Sequence, residues 1–258
     1  MNPEMEAPRV RRSPWTGLPG FFGTESRVQL HETPSLVSAL VIQVIFLVFV
    51  WLLAPPSYRV YAVVGAIVFS IFTVGERVQN EAAYIRLDHK LNELYHASPL
   101  APESYFVGMA AGVLVLYLPP VLMLVVILEL VHPLTALPAL VFLASLAGIW
   151  LFSSSMGYII STLFRDLRAI WPYSSLLFNL FGVLPPVFYP LAAFPGPLQP
   201  VALLMPPSAV AALMMDVMGV APLAHGPLIL AVGGLLVECV GVTLLGLRWA
   251  RRSAREGG

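Results

Sequence analysis

Apolar positions along the chain gather into long runs separated by short polar breaks. Leu36 to Ala54 is a 19-residue run without a charge, and Gln43 is its only strongly polar member. As a helix it reaches roughly 28 Å, about the thickness of a bilayer core. Val60 to Val74 is a shorter run that ends at Gly75-Glu76-Arg77. Phe106 to Leu128 contains Pro119-Pro120, Leu137 to Leu163 follows, another run begins at Ile170, and Leu228 to Leu247 is broken only by Glu238. The pattern predicts an all-α polytopic bundle of six transmembrane helices, about 36–54, 59–75, 105–129, 137–163, 169–185 and 227–247. Residues 1–35 form an N-terminal, interfacial segment and 248–258 a tail.

The stretch from Ala169 to Met215 holds 47 residues and no charge, more than one span needs. Eight prolines lie between Pro185 and Pro207. Each removes a backbone donor, so a continuous lipid-facing helix cannot pass through them. The fifth span therefore ends near Pro185. Residues 185–216, including Leu198 to Leu204 and Ser208 to Met215, are expected as short helices dipping partway into the membrane from outside. Such a re-entrant hairpin needs cover by protein. The competing reading is an apolar extracellular loop resting on the bundle.

Glu76 to Leu100 is the largest polar insertion between spans. Tyr84, Leu87, Leu91, Leu94 and Tyr95 recur at helical spacing, with Arg86, His89, Lys90, Glu93 and His96 on the other side. This predicts an amphipathic helix over 82–97, stopped by Ser98-Pro99. Such a helix either lies on lipid or the bundle, or docks a soluble partner. Its polar face is mixed in sign, through Arg86, Asp88, Lys90 and Glu93, whereas a helix built for anionic lipid carries mostly arginine and lysine.

Charge sets the orientation. With both termini in the cytoplasm, thirteen of the fourteen basic residues lie inside and only Arg59 outside, as the positive-inside rule requires. The chain is expected in the cell (inner or plasma) membrane. No secretory signal is visible, since the first long apolar run starts only at Leu36. Trp15, Leu18, Phe21 and Phe22 suit a membrane surface, but Gly17, Pro19, Gly20 and Gly23 argue against a long helix there. Either a short interfacial segment runs from Ser26 into the first span, or the chain is a disordered tail up to about Gly23.

Composition narrows the chemistry. Of 258 residues, 58% are apolar and 11% charged, and 14 basic residues balance 14 acidic ones. This excludes a soluble globular domain and gives no field for nucleic acid. The single Cys239 rules out an internal disulfide and a cysteine-based metal cluster. The only lysine, Lys90, sits in His89-Lys90-Leu91, so the chain carries no P-loop. No His-Glu-x-x-His or Gly-x-Ser-x-Gly occurs, and Ser153-Ser154-Ser155 has no base nearby and reads as small-residue packing. No catalytic, cofactor or metal site is expected. The intramembrane polar set is Gln43, Asn179 and Glu238, candidates for a transport path or for interhelical contacts. Glu129 lies three residues before His132, so the two are candidates to pair. Gly108 and Gly112 form a small-xxx-small pattern for close helix packing.

The order of these segments resembles the membrane subunits of ABC exporters, the type-2 permease family. The resemblance covers nearly the whole chain: a basic N-terminus, six spans, and a charged helix after span two ending in Asn92-Glu93-Leu94-Tyr95-His96-Ala97-Ser98-Pro99-Leu100. Its strongest part is Gly182-Val183-Leu184-Pro185-Pro186-Val187-Phe188-Tyr189-Pro190-Leu191-Ala192-Ala193-Phe194-Pro195, which looks like the family's signature after the fifth span. Met205-Pro206-Pro207-Ser208 matches the family's Asn-Pro turn only loosely. The resemblance implies a dimer, with a second permease copy or a paralogue. It also implies a separate ATP-binding subunit that docks on Tyr84, Leu87, Leu91, Glu93, Leu94 and Tyr95. It implies no chemistry on this chain, and export of an amphiphilic, drug-like, lipid or glycan substrate. The alternative is an ion- or proton-coupled secondary carrier using Glu238.

Overall fold

The computed structural model describes residues 15, 17–53, 55–87, 101–164 and 166–256. These form helices, with no strand among the described residues. Among the described residues nine α-helices follow one another: α1 (Leu18–His31), α2 (Thr33–Leu53), α3 (Arg59–Leu87), α4 (Pro102–Val131), α5 (Ala136–Ser161), α6 (Leu167–Val183), α7 (Gln199–Leu203), α8 (Pro206–Val217) and α9 (His225–Glu256). Four of them are long and apolar enough to cross a membrane: α3 with the turn before it, α4, α5 and α9. The outer faces are apolar too. Leu122, Val126 and Leu130 of α4, Trp171, Leu176 and Leu180 of α6, and Leu236, Val237 and Val240 of α9 are exposed. Continuous apolar surface on this scale suits hydrocarbon rather than water.

Helix α3 is the hub. It packs against α4, α5, α6 and α8, and Val63, Val64, Ile67, Val68 and Phe72 on it are fully or almost fully buried. Phe72 meets the Phe178 ring of α6 at 5.2 Å between centroids. Helix α5 lies between α3 and α9, and small residues bring the three backbones together: Gly75 meets the Ser153 carbonyl, and Gly246 meets Ser155. Ser153, Ser154 and Ser155 are all buried, so the serine triplet serves packing as the sequence predicts.

The segment Gly196–Leu203, which ends in α7, meets α8 at 101°. Proline at the first helical position starts α8, where a missing N–H costs nothing. Every residue from Pro206 to Met215 is buried, among α3, α5 and α9. Gly219, at φ +71°, turns the chain out of α8, and the Asp216 carboxylate accepts the Leu223 amide 2.7 Å away. The irregular segment after α6 is thus covered by protein on its α8 side, the condition that eight prolines impose.

Several sequence expectations need correction. A helix, α1, runs through Gly20 and Gly23, where neither a disordered tail nor a segment starting at Ser26 describes the chain. Tertiary contact outweighs the weak propensity: Phe21 and Glu25 sit against Gly108 and Gly112 of α4. The second long helix does not end at residue 75 but continues to Leu87. Its late polar residues are taken up by neighbours rather than by water, as described below. Consequently Tyr84 and Leu87 belong to the end of α3, not to a separate helix over 82–97. Leu91, Glu93, Leu94 and Tyr95 lie outside the described residues. Finally, Glu129 accepts the Leu134 amide at 3.2 Å, capping the turn after α4 instead of pairing with His132.

Candidate functional site

Polar chemistry concentrates where α3, α5 and α9 end and α4 begins. Arg86, one residue from the end of α3, spreads its guanidinium over three backbone carbonyls at the end of α5. It donates to Ser161 and Phe164 at 2.6 Å each and to Thr162 at 3.2 Å. The last carbonyls of a helix have no partner within it and carry the negative end of its dipole. A cation from a neighbouring helix satisfies both. The sequence pattern places Arg86 on the free polar face of an amphipathic helix; the structure instead spends it on α5.

Three further contacts fasten the same end. The Trp249 indole of α9 donates to the Thr162 hydroxyl at 2.9 Å. Arg251 of α9 forms an ion pair with Glu103, in the first turn of α4. The Phe106 and Tyr158 rings lie 5.0 Å apart between α4 and α5. Tyr84, the other described member of the expected docking set besides Leu87, is exposed.

A second polar group joins α1 to α3. Arg77 pairs with Glu32, the residue after α1, lies 3.9 Å from Glu81, and reaches Gln29 at 3.5 Å. Gln29 is fully buried and donates to Glu25 at 2.9 Å. Burial pushes the Glu25 carboxyl above its ordinary value, opposed by the Gln29 hydrogen bond and the Arg77 charge. A third group joins α3 to α6: Ser175 donates to Glu76 at 2.6 Å, and Ser174 to Asn80 at 3.2 Å. Glu76 and Arg77, which read as the end of a span, are therefore interhelical ligands.

Two members of the expected intramembrane set have described side chains, Asn179 on α6 and Glu238 on α9. Asn179 is exposed and donates to the Ser175 carbonyl of its own helix. Glu238 is half-buried on α9, and its Oε2 is buried without a hydrogen-bond partner. The side chain of Gln43 is outside the described residues.

At the opposite end, the proline-rich motif wraps the start of α3. Pro185, Pro186 and Val187 are buried. The Val187 carbonyl and the Phe188 ring lie against Gly65, where a Cβ would come within 2.6 and 2.7 Å of them. Phe188 also faces Phe69 at 5.9 Å. Tyr189 donates its hydroxyl to the Leu184 carbonyl at 3.0 Å, and Pro190 leads into a single 3₁₀ turn over Leu191–Ala193. Between the motif and α8 is a small apolar recess lined by Tyr61, Pro186, Val187, Tyr189 and Met215.

Sequence reasoning missed Arg86, Glu103, Arg251 and the Arg77 cluster as structural partners. The available signal was their position: lone charges within a turn or so of the end of an apolar run, where only an interhelical partner or the headgroup region can hold them. No protein-family model matches the chain, and no curated protein matches it.

Proposed function

We propose that the chain is the transmembrane permease subunit of an ATP-driven exporter, in which a separate ATP-binding subunit docks on the segment between α3 and α4. In this reading α2, α3, α4, α5, α6 and α9 are six spans, both termini are cytoplasmic, and α7–α8 is a re-entrant hairpin entered from outside. The permease works as a dimer with a second copy or a relative, and ATP-driven closure of the partner tilts the spans. The observation that supports the reading is the sharply bent α7–α8 pair, with α8 buried among α3, α5 and α9, following the motif Pro185 to Pro190. The cargo in this reading is an amphiphilic, drug-like, lipid or glycan molecule.

Purification from native membranes tests this. An ATPase chain should accompany the protein. Replacing Leu91 and Leu94 together by Ala should release that chain or uncouple its hydrolysis from transport, while the spans still insert. A double variant that keeps full transport with its ATPase bound sinks the docking assignment.

One observation favours a second reading. The unpartnered buried oxygen of Glu238 is what a carrier would use as an ion or proton site. Substrate movement driven by a proton gradient without ATP, and lost in Glu238→Gln, would select that carrier.

A further inference from the structure

The fourteen residues 88–101 join α3 to α4, and both roots of that connector are clamped to other helices. On the α3 side, Arg86 stands next to the last described residue, Leu87, and holds three carbonyls at the end of α5. On the α4 side, Glu103 is the second residue of the helix and pairs with Arg251 of α9. The two clamps are not independent of each other's targets. Trp249, two residues before Arg251, donates to Thr162, whose carbonyl Arg86 holds. Thus α5 and α9, remote in sequence from the connector, are tied to its two ends.

From this we infer that Arg86 and Glu103 are positioning residues that carry movement of the connector into α5 and α9 respectively. The inference rests on the reading of the connector as the ATPase docking segment. The chemistry suits the task. A guanidinium holding three carbonyls has several donors in a fixed fork, so it resists rotation as well as separation. Helix α5 in turn meets α3 and α9 through glycine and serine contacts with little slack. It also packs on the buried helix α8. A displacement at Arg86 therefore reaches the bent α7–α8 pair through one rigid helix rather than through side chains that can relax.

The test uses the chain purified with its ATPase. Cys239 is replaced by Ala and a single cysteine is placed at Leu204, exposed at the α7–α8 bend at the far end of the bundle. The rate of modification by a polar thiol reagent is read with and without ATP. ATP should change that rate in the parent. Arg86→Met should abolish the ATP-dependent change while the ATPase stays bound and keeps hydrolysing. Arg86→Lys, which keeps the charge but not the fork, should retain part of it. Glu103→Gln should also lose the change, and the swapped pair Glu103→Arg with Arg251→Glu should restore it. A full ATP response in either single variant overturns the inference. So does a loss in Glu103→Gln that the swapped pair leaves unrepaired, since the defect is then structural. If Arg86→Met does not reach the membrane, Glu103→Gln and the swapped pair decide alone. Absence of any ATPase from the parent preparation would instead defeat the proposed function, a result distinct from a retained ATP response.

Discussion

The Gly75 carbonyl occupies the space that a side chain on Gly157 would need. A Cβ built on Gly157 would come 2.9 Å from the Gly75 carbonyl carbon and closer still to its oxygen. Neither atom can move without moving a helix backbone. Gly157→Ala should therefore cost about 1–3 kcal/mol, the usual range for overpacking. Gly233→Ala, where nothing lies within 4 Å of the new atom, should leave stability unchanged or raise it through helix propensity. Thermal unfolding in detergent compares the two. Equal midpoints would mean that α3 and α5 are not in this contact.

This contact shows what the sequence could and could not reveal. The runs that become α3, α4, α5 and α9, the four helices long and apolar enough to cross a membrane among the described residues, are legible because burying or immersing about 20 apolar residues leaves few other structures. The eight-proline segment is legible because missing donors forbid a spanning helix. The end of α3 is not. Gly75-Glu76-Arg77 reads as a stop, yet Gly75 is a packing surface, Glu76 receives Ser175 and Arg77 receives Glu32. Those partners lie 99 and 45 residues away, and no local periodicity encodes them. Arg86 fails for the same reason: its spacing on a helical wheel says polar face, and only tertiary structure brings α5 beside it.

Glu238 offers a prediction whose sign the structure reverses. If a neighbour hydrogen-bonded this carboxyl, leucine would be the worst replacement. Its Oε2 is instead buried without a partner, and removing an unsatisfied buried polar group is neutral or stabilising. Glu238→Leu and Glu238→Gln should both unfold at or above the parent temperature. A clear loss of stability in the leucine variant would show that the carboxyl has a partner after all.

The cluster around Glu25 makes stability depend on pH. Burial raises its folded pKa, so between the ordinary carboxyl value and that raised value the folded state holds more protons than the unfolded one. Stability therefore falls as pH rises through this window. Arg77, Glu32 and Glu81 surround the site and contribute their own slopes. The informative quantity is thus the difference from Glu25→Gln, which keeps a hydrogen-bonding amide beside Gln29 and cannot ionise. Melting curves from mildly acidic to neutral pH should converge at the acid end, with the parent falling below the variant as pH rises. A parent curve that gains on the variant instead would contradict the burial of this carboxyl.

Orientation has a direct readout. With Cys239 replaced, single cysteines at Gly196, before α7, and at Gly258, at the end of the chain, should differ in intact cells. An impermeant thiol reagent should reach position 196 and spare position 258. Labelling at 258 with protection at 196 would invert the arrangement proposed from the basic residues.

Helix α1 provides the last test, because most of its packing is against one helix, α4. Gly20 and Gly23 lower its intrinsic helicity, and a 14-residue helix is marginal on its own. It is held by Phe21 over Gly108 and Glu25 over Gly112: a Cβ on these glycines would come within 2.7 Å of the Phe21 ring and 2.6 Å of the Glu25 Cβ. The Phe21 ring also lies tilted against Tyr105, 5.3 Å between centroids. A leucine at Gly112 cannot share that space, so α1 must leave α4 and lose the contact that keeps it helical. Arg27, exposed on α1, then becomes a better substrate for trypsin, which cuts unfolded chain far faster than helix. Gly112→Leu should speed cleavage at Arg27 in the purified protein, whereas Gly20→Ala, with open space around it, should slow it by favouring the helix. Unchanged cleavage in Gly112→Leu would show that α1 holds together without α4, and that its glycines were never the obstacle that the sequence suggests.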